Sequence, residues 1–265
     1  MTEAFIREIL PQDAPALAAL WHRVFADPEE LARDFLRLLP ALGSGVVAVR
    51  GGEIVGAAYI VTELFLEEKR AAYLYAVAVS PEHRGLGLGK ALTREAAALG
   101  SHRGADFVCT LPAEPGLYPW YEGLIGTRYL LHRKKELLPA RCFAAVEPLT
   151  AAEYGADREA LLAGTPHLRL SPAAVEFEAC NCHRFGGGLL RVGEGIAAAY
   201  REGDRAVVRE LLCPDEGARR SLAASAGAAL GAERVLLYTP AAEGETYLAA
   251  DRPLPEGCVW NLCFD

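Results

Sequence analysis

The residues best suited to chemistry lie in one stretch, Arg84-Gly85-Leu86-Gly87-Leu88-Gly89-Lys90. Three glycines alternate there between two cations. Glycine takes positive φ at no steric cost, so successive backbone N–H groups can converge on one anion. A helix starting at the end of this stretch would add N–H groups without intrahelical acceptors and the positive end of its dipole. Arg84 and Lys90 bring full charges to the same place. The stretch therefore reads as a phosphate cradle. Two common cradles do not match it. A P-loop needs Gly, four residues, then Gly-Lys-Ser/Thr, but Ala91 follows Gly89-Lys90 and the residue five before Gly89 is Arg84. The dinucleotide pattern Gly-x-Gly-x-x-Gly would need glycine at position 90, where lysine stands.

Such a cradle needs a strand to deliver the chain and a helix to receive it. Tyr73-Leu74-Tyr75-Ala76-Val77-Ala78-Val79 is the most apolar run in the sequence and reads as a central strand. Beyond the turn, Leu88, Ala91, Leu92, Glu95, Ala96 and Leu99 recur at helical spacing. Upstream, Phe5–Ile9 reads as a strand, with Asp13 as a candidate N-cap for a helix carrying Leu17, Leu20, Trp21, Val24 and Phe25. A second helix carries Leu31, Phe35, Leu38 and Leu39. A hairpin follows, turning at Gly51-Gly52, and a further strand covers Asp106–Leu111.

Arg84, Gly87 and Gly89 spell Arg-x-x-Gly-x-Gly directly after Val77-Ala78-Val79-Ser80-Pro81-Glu82. This resembles the GNAT superfamily of acetyl-CoA-dependent N-acetyltransferases. The resemblance covers residues 3–135 by order of elements and is sharpest over Tyr73–Leu99. It implies that the backbone amides of Arg84, Gly85, Leu86, Gly87, Leu88, Gly89 and Lys90 bind the pyrophosphate of CoA. It also implies that Val77, Ala78 and Val79 pair with the pantetheine arm, where this strand splays from the next. Leu117–Gly126 resembles the family's short helix, and Tyr121 falls on the tyrosine that often protonates the leaving thiolate. Here Gly126 follows Tyr121 by five residues rather than four, and Thr127 replaces an aromatic, so Tyr118 is a rival. A phenol suits this role because the departing thiolate becomes basic as it leaves. The oxyanion would meet a strand N–H near Val77. For the general base, Glu63, Glu67, Glu68, Glu122 and the terminal carboxylate of Asp265 are candidates, and none is singled out by spacing.

From about Cys142 the order of elements repeats. Gly188–Val192 and Ile196–Tyr200 resemble Gly45–Val49 and Ile54–Tyr59, and Leu212-Cys213-Pro214-Asp215 matches Val79-Ser80-Pro81-Glu82. The expected fold is α/β with mixed sheets: tandem GNAT-like domains, 1–138 and 139–265, each a central mixed sheet flanked by helices. The second copy has Glu216-Gly217-Ala218-Arg219-Arg220-Ser221 where the first has its glycines. Side chains there would block a pyrophosphate, so this half is expected not to bind CoA. It is left to shape the substrate cleft, cover a sheet edge or pair subunits into a homodimer.

Composition narrows the partners. The chain has 265 residues with 52% apolar and 23% charged, enough for a packed core in one large or two ordinary domains. A net charge of −8 argues against nucleic acid and mildly favours cationic amines as acceptors. Seven cysteines without regular spacing suit free thiols in a reducing, cytoplasmic setting. No window approaches the roughly 20 apolar residues of a membrane span. Cys180-Asn181-Cys182-His183 offers three ligand types, but no second pair is spaced like a zinc site, so no metal is expected. There is no Gly-x-Ser-x-Gly nucleophile elbow. The expected activity is transfer of an acetyl group from acetyl-CoA to a primary amine on a small molecule or peptide. The alternative is a non-catalytic acyl-CoA sensor.

Overall fold

The computed structural model describes residues 3–262 and 264; Cys263 and the candidate base Asp265 lie outside them. In chain order the elements are β1 (Phe5–Glu8), α1 (Ala14–Phe25), α2 (Glu29–Leu42), β2 (Gly43–Arg50), β3 (Glu53–Leu66), β4 (Lys69–Val79), α3 (Leu88–His102), β5 (Phe107–Thr110), α4 (Tyr118–Ile125) and β6 (Tyr129–Pro139). They continue with β7 (Val146–Pro148), α5 (Ala151–Leu161), β8 (Leu168–Leu170), α6 (Pro172–Arg184), β9 (Gly188–Val192), β10 (Gly195–Glu202), β11 (Arg205–Leu212), α7 (Arg219–Ala229), β12 (Arg234–Ala241) and β13 (Glu245–Ala250).

Two compact units result. The first comprises residues 1–130 with 247–254, and the second comprises 131–246 with 255–265. The division therefore falls at 130/131 rather than 138/139, because β6 pairs antiparallel with β12 from Pro139↔Arg234 to His132↔Ala241. It is also not a single cut. The chain returns to complete the first unit, where Ala249 and Ala250 pair with Thr110 and Cys109 of β5, and Asp251 exchanges N–H···O bonds with Val108. Each sequence half thus lends a strand to the other half's unit.

In the first unit the sheet runs β1-β2-β3-β4-β5-β13. The β2–β3 and β3–β4 pairs are antiparallel and β4–β5 is parallel. One face carries α3, whose buried side chains Leu92, Ala96 and Ala97 share a cluster with Val46, Ala58, Ile60, Ala72 and Leu74. The helix lies close to the sheet: a Cβ on Gly100 would sit 2.6 Å from the Ala72 Cβ. The other face carries α1 and α2, where Trp21 and Phe35 pack around Tyr59 and Tyr75 at centroid distances of 5.1–5.6 Å. Asp13 does not cap α1 with its side chain. Its carboxylate instead accepts from Leu10 N–H and from both Arg7 amines, and Arg7 holds it below the usual carboxylate range.

The second unit repeats the plan. Its sheet runs β6-β12-β11-β10-β9-β7, with β11–β12 parallel as β4–β5 is. Helix α7 packs through Leu222, Ala223 and Ala226 on Leu190, Ala197, Val208 and Val235. A Thr150–Glu153 capping box starts α5, and Ser171 caps α6. Apart from β8, which falls between α5 and α6, the order helix, helix, hairpin, strand, turn, helix, strand is that of the first unit.

Candidate functional site

Pairing of β4 with β5 stops at Leu74↔Thr110. The Thr110 hydroxyl closes the pair by donating to Leu74 O at 3.0 Å. Strand β4 then runs on through Tyr75–Val79, leaving Val77, Ala78 and Val79 without a β5 neighbour. Their other edge stays paired with β3 at Ala57↔Ala78 and Gly56↔Val79. Between Ala57↔Ala78 and Tyr59↔Tyr75 the register slips, so Ala76 and Val77 together oppose Ala58. This is a β-bulge, which re-aims backbone groups at a fixed place in a strand. Ala76 takes φ 46°, the left-handed region that alanine rarely visits. No local signature marks it, since Tyr-Ala-Val-Ala-Val reads as regular strand.

A short turn of helix over Pro81–His83 links this strand to the cradle. Ser80 fixes it, donating its N–H to Val55 O and placing its hydroxyl 2.9 Å from His83 Nδ1. Gly85 and Gly87 lie at φ 80° and 77°, conformations that justify glycine at both positions. A Cβ on either would meet nothing within 4 Å, so the space above the turn is open. Gly89 differs. It lies in the first turn of α3 and has no positive φ, and a Cβ there would make only ordinary contact with Val79 at 3.9 Å. The first helical bond runs from Ala91 N–H to Gly87 O at 3.1 Å, so the N–H groups of Leu88, Gly89 and Lys90 precede the hydrogen-bonded ladder. Leu86 is exposed. Arg84 folds back, its Nε donating to Val79 O at 3.3 Å. Among the described residues neither Arg84 nor Lys90 forms an ion pair, so both charges remain available. The turn can hold an anion by converging amides, a helix N-terminus and two cations.

Tyr121 lies in α4 and is buried in the same cluster as Leu92, Ala96 and Val108, against which Val77, Val79, Leu88 and Trp120 also pack. The strand end, the start of α3 and the tyrosine therefore share one face. The Trp120 ring meets Tyr121 edge-on, with centroids 4.7 Å apart. Burial pushes the Tyr121 phenol up to about 12, and its hydroxyl has no hydrogen-bond partner among the described residues. It is a phenol kept protonated with its proton uncommitted. Tyr118 is half-buried at the start of the same helix.

The carboxylates do not gather here. Glu67 and Glu68 form the β3–β4 turn, eight or more residues of strand before Val77, or roughly 25 Å. Glu63 faces Arg70 at 3.9 Å. Glu122 is exposed on α4. Cys182 is buried, its thiol pushed up to about 12 chiefly by desolvation. Among the described residues no group of three or more His, Cys, Asp or Glu side chains is arranged to hold a metal ion. Among the described residues no helix is long and apolar enough to cross a membrane.

The equivalent place in the second unit is built differently. Pairing of β11 with β12 stops at Val208↔Leu237, and β11 is bulged at Arg209, between Ala198↔Glu210 and Ala199↔Val208. The bulge bears a buried ionic network instead of small side chains. Glu210 accepts from Arg158 Nε and Nη2 at 2.9 and 3.2 Å and from the Tyr154 hydroxyl at 2.7 Å. At the following turn, Asp215 Oδ1 already accepts the Gly217 N–H at 2.8 Å, and Glu216 pairs with Arg219.

Residues 5–122 match the family described as the acetyltransferase (GNAT) domain. Solved structures with a similar fold include the GCN5-related N-acetyltransferase from Kribbella flavida (19% identity, 94% of this chain and 71% of that one, TM-score 0.69). Others are those from Anabaena variabilis (13%, 94% and 72%, 0.67) and Sphaerobacter thermophilus (15%, 95% and 97%, 0.56). At these identities the likeness is one of fold, and it extends over both units. No curated protein matches the sequence closely enough to count as a relative.

Proposed function

Starting from a GNAT acetyltransferase domain over residues 5–122, we propose that the chain is an N-acetyltransferase that moves an acetyl group from acetyl-CoA to a primary amine. One observation carries this reading: the strand end Tyr75–Val79, open on its β5 side, runs into an open turn with Gly85 and Gly87 at positive φ and two cations without acidic partners.

The backbone edge at Val77, Ala78 and Val79 is suited to hydrogen-bond the amides of the pantetheine arm, and the turn amides with Arg84 and Lys90 to hold the pyrophosphate. The amine nitrogen bonds to the thioester carbonyl carbon, and the carbon–sulfur bond breaks. As the carbonyl oxygen gains negative charge, an N–H at the Ala76–Val77 bulge meets it. Tyr121 donates its proton to the departing sulfur. The proton lost by the amine leaves through water. Acidic net charge supports a cationic acceptor.

The test is release of free thiol from acetyl-CoA across a panel of amines. Amine-dependent release supports the transferase. Tight acetyl-CoA binding without release under any amine would instead support a sensor that binds acyl-CoA, a reading favoured by the placement of Glu67 and Glu68 at the far end of β4.

A further inference from the structure

Helices α3 and α7 both begin under an excess of positive charge, and only α7 is neutralised. It opens with Arg219 and Arg220. Glu216 pairs with the first, and Glu136 pairs with the second at 2.8 Å. Helix α3 carries Lys90 in its first turn and Arg94 one turn on, with no acid in that first turn. Both side chains are exposed. Among the described residues Arg94, like Arg84 and Lys90, forms no ion pair. A helix neighbour could neutralise Arg94 only from three or four residues away, and those places hold Lys90, Ala91, Ala97 and Ala98. Glu95, next in sequence, is turned elsewhere: it lines a groove with Ile6 of β1 and Val46 of β2. A cation in the first turn of a helix opposes its dipole, and a like charge one turn on repels it. The pair therefore costs α3 stability unless an anion lies over it.

We infer that Arg94 selects for the 3′-phosphate of CoA, with Lys90 beside it. The inference rests on the cofactor site proposed above. There the turn amides, the start of α3 and Arg84 already suit the diphosphate. CoA also carries a phosphomonoester on its ribose, a separate group with close to two negative charges at neutral pH. Arg94 stands about 6 Å along the helix axis beyond Lys90, on the same face, which suits it to a phosphate other than the diphosphate. Its guanidinium offers paired N–H donors that match phosphate oxygens. The corresponding cations of α7 are spent on acids, in keeping with a second unit that binds no CoA.

Calorimetric titration of the full chain with CoA and with 3′-dephospho-CoA tests this. The unaltered chain should bind CoA at least about tenfold more tightly at low salt, and the ratio should shrink as salt is raised. Arg94→Gln should weaken CoA at least about fivefold and leave 3′-dephospho-CoA unchanged. Arg94→Lys should keep part of the preference. Equal affinities in the unaltered chain would overturn the inference, as would a preference that survives Arg94→Gln. Equal weakening of both ligands in that variant would overturn it too. Failure of the unaltered chain to bind either ligand is a different result, because it removes the cofactor site itself and this inference with it.

Discussion

At the end of β4 the chain presents open backbone, two glycines at positive φ and two cations without acidic partners. At the end of β11, in a unit with the same order of elements, a carboxylate occupies the first amide, an acid neutralises the first arginine of α7, and Arg158, Glu210 and Tyr154 fill the bulge region. One framework thus meets an anion in two ways. The first unit leaves its hydrogen-bonding capacity unspent, which is what a binding site requires. The second satisfies the corresponding positions internally and has a polar core that must stay complete to be tolerated. The fold is common to both; the open turn with two positive-φ glycines belongs to one.

The largest expected effect breaks the second unit. Arg158→Met strips the buried Glu210 of its guanidinium and should cost about 3–5 kcal/mol, read as a lower denaturant midpoint. A loss below about 1 kcal/mol would mean that Glu210 is not held as a buried charge. The next breaks the first unit. Gly87→Trp forces a side chain into positive φ and into the open space over the turn, and should weaken acetyl-CoA binding at least about a hundredfold by calorimetry. Tyr121→Phe sharpens the chemistry: kcat should fall about tenfold to a hundredfold with little change in KM for acetyl-CoA. Retained kcat would move the proton donor to Tyr118 or elsewhere. The phenol is raised to about 12, so it stays protonated through neutral and mildly alkaline pH. Loss of kcat below about pH 10 that disappears in Tyr121→Phe would contradict this. The smallest effect is Lys90→Ala, an exposed cation at the turn, which should raise KM about threefold at low salt and less at high salt.

Much of this contrast was legible in the sequence. Gly85 and Gly87 announce positive φ, the apolar Tyr73–Val79 run announces a central strand, and their replacement near Glu216–Ser221 announces a turn of another kind. Asp215 could have been read as the competitor for the amides, since an acid before a turn commonly takes them. Other features were hidden for physical reasons. The Ala76 bulge depends on pairing with β3 and has no local signature. Glu67 and Glu68 look close to the site along the chain, but extended strand carries them away from it. The boundary could not be found by composition, because Ala249 and Ala250 pair by edge hydrogen bonds with β5 and β6 does so with β12. A cut at 139/140 would deprive each half of a strand, so both units are best tested in the intact chain.

The central claim is that one chain holds one CoA, on the first unit's turn. Titration calorimetry of the intact chain with CoA measures this directly. The account predicts one site per chain, lost in Gly87→Trp and unchanged in Ala218→Trp at the corresponding turn of the second unit. Two sites, or one site that survives Gly87→Trp, would contradict it.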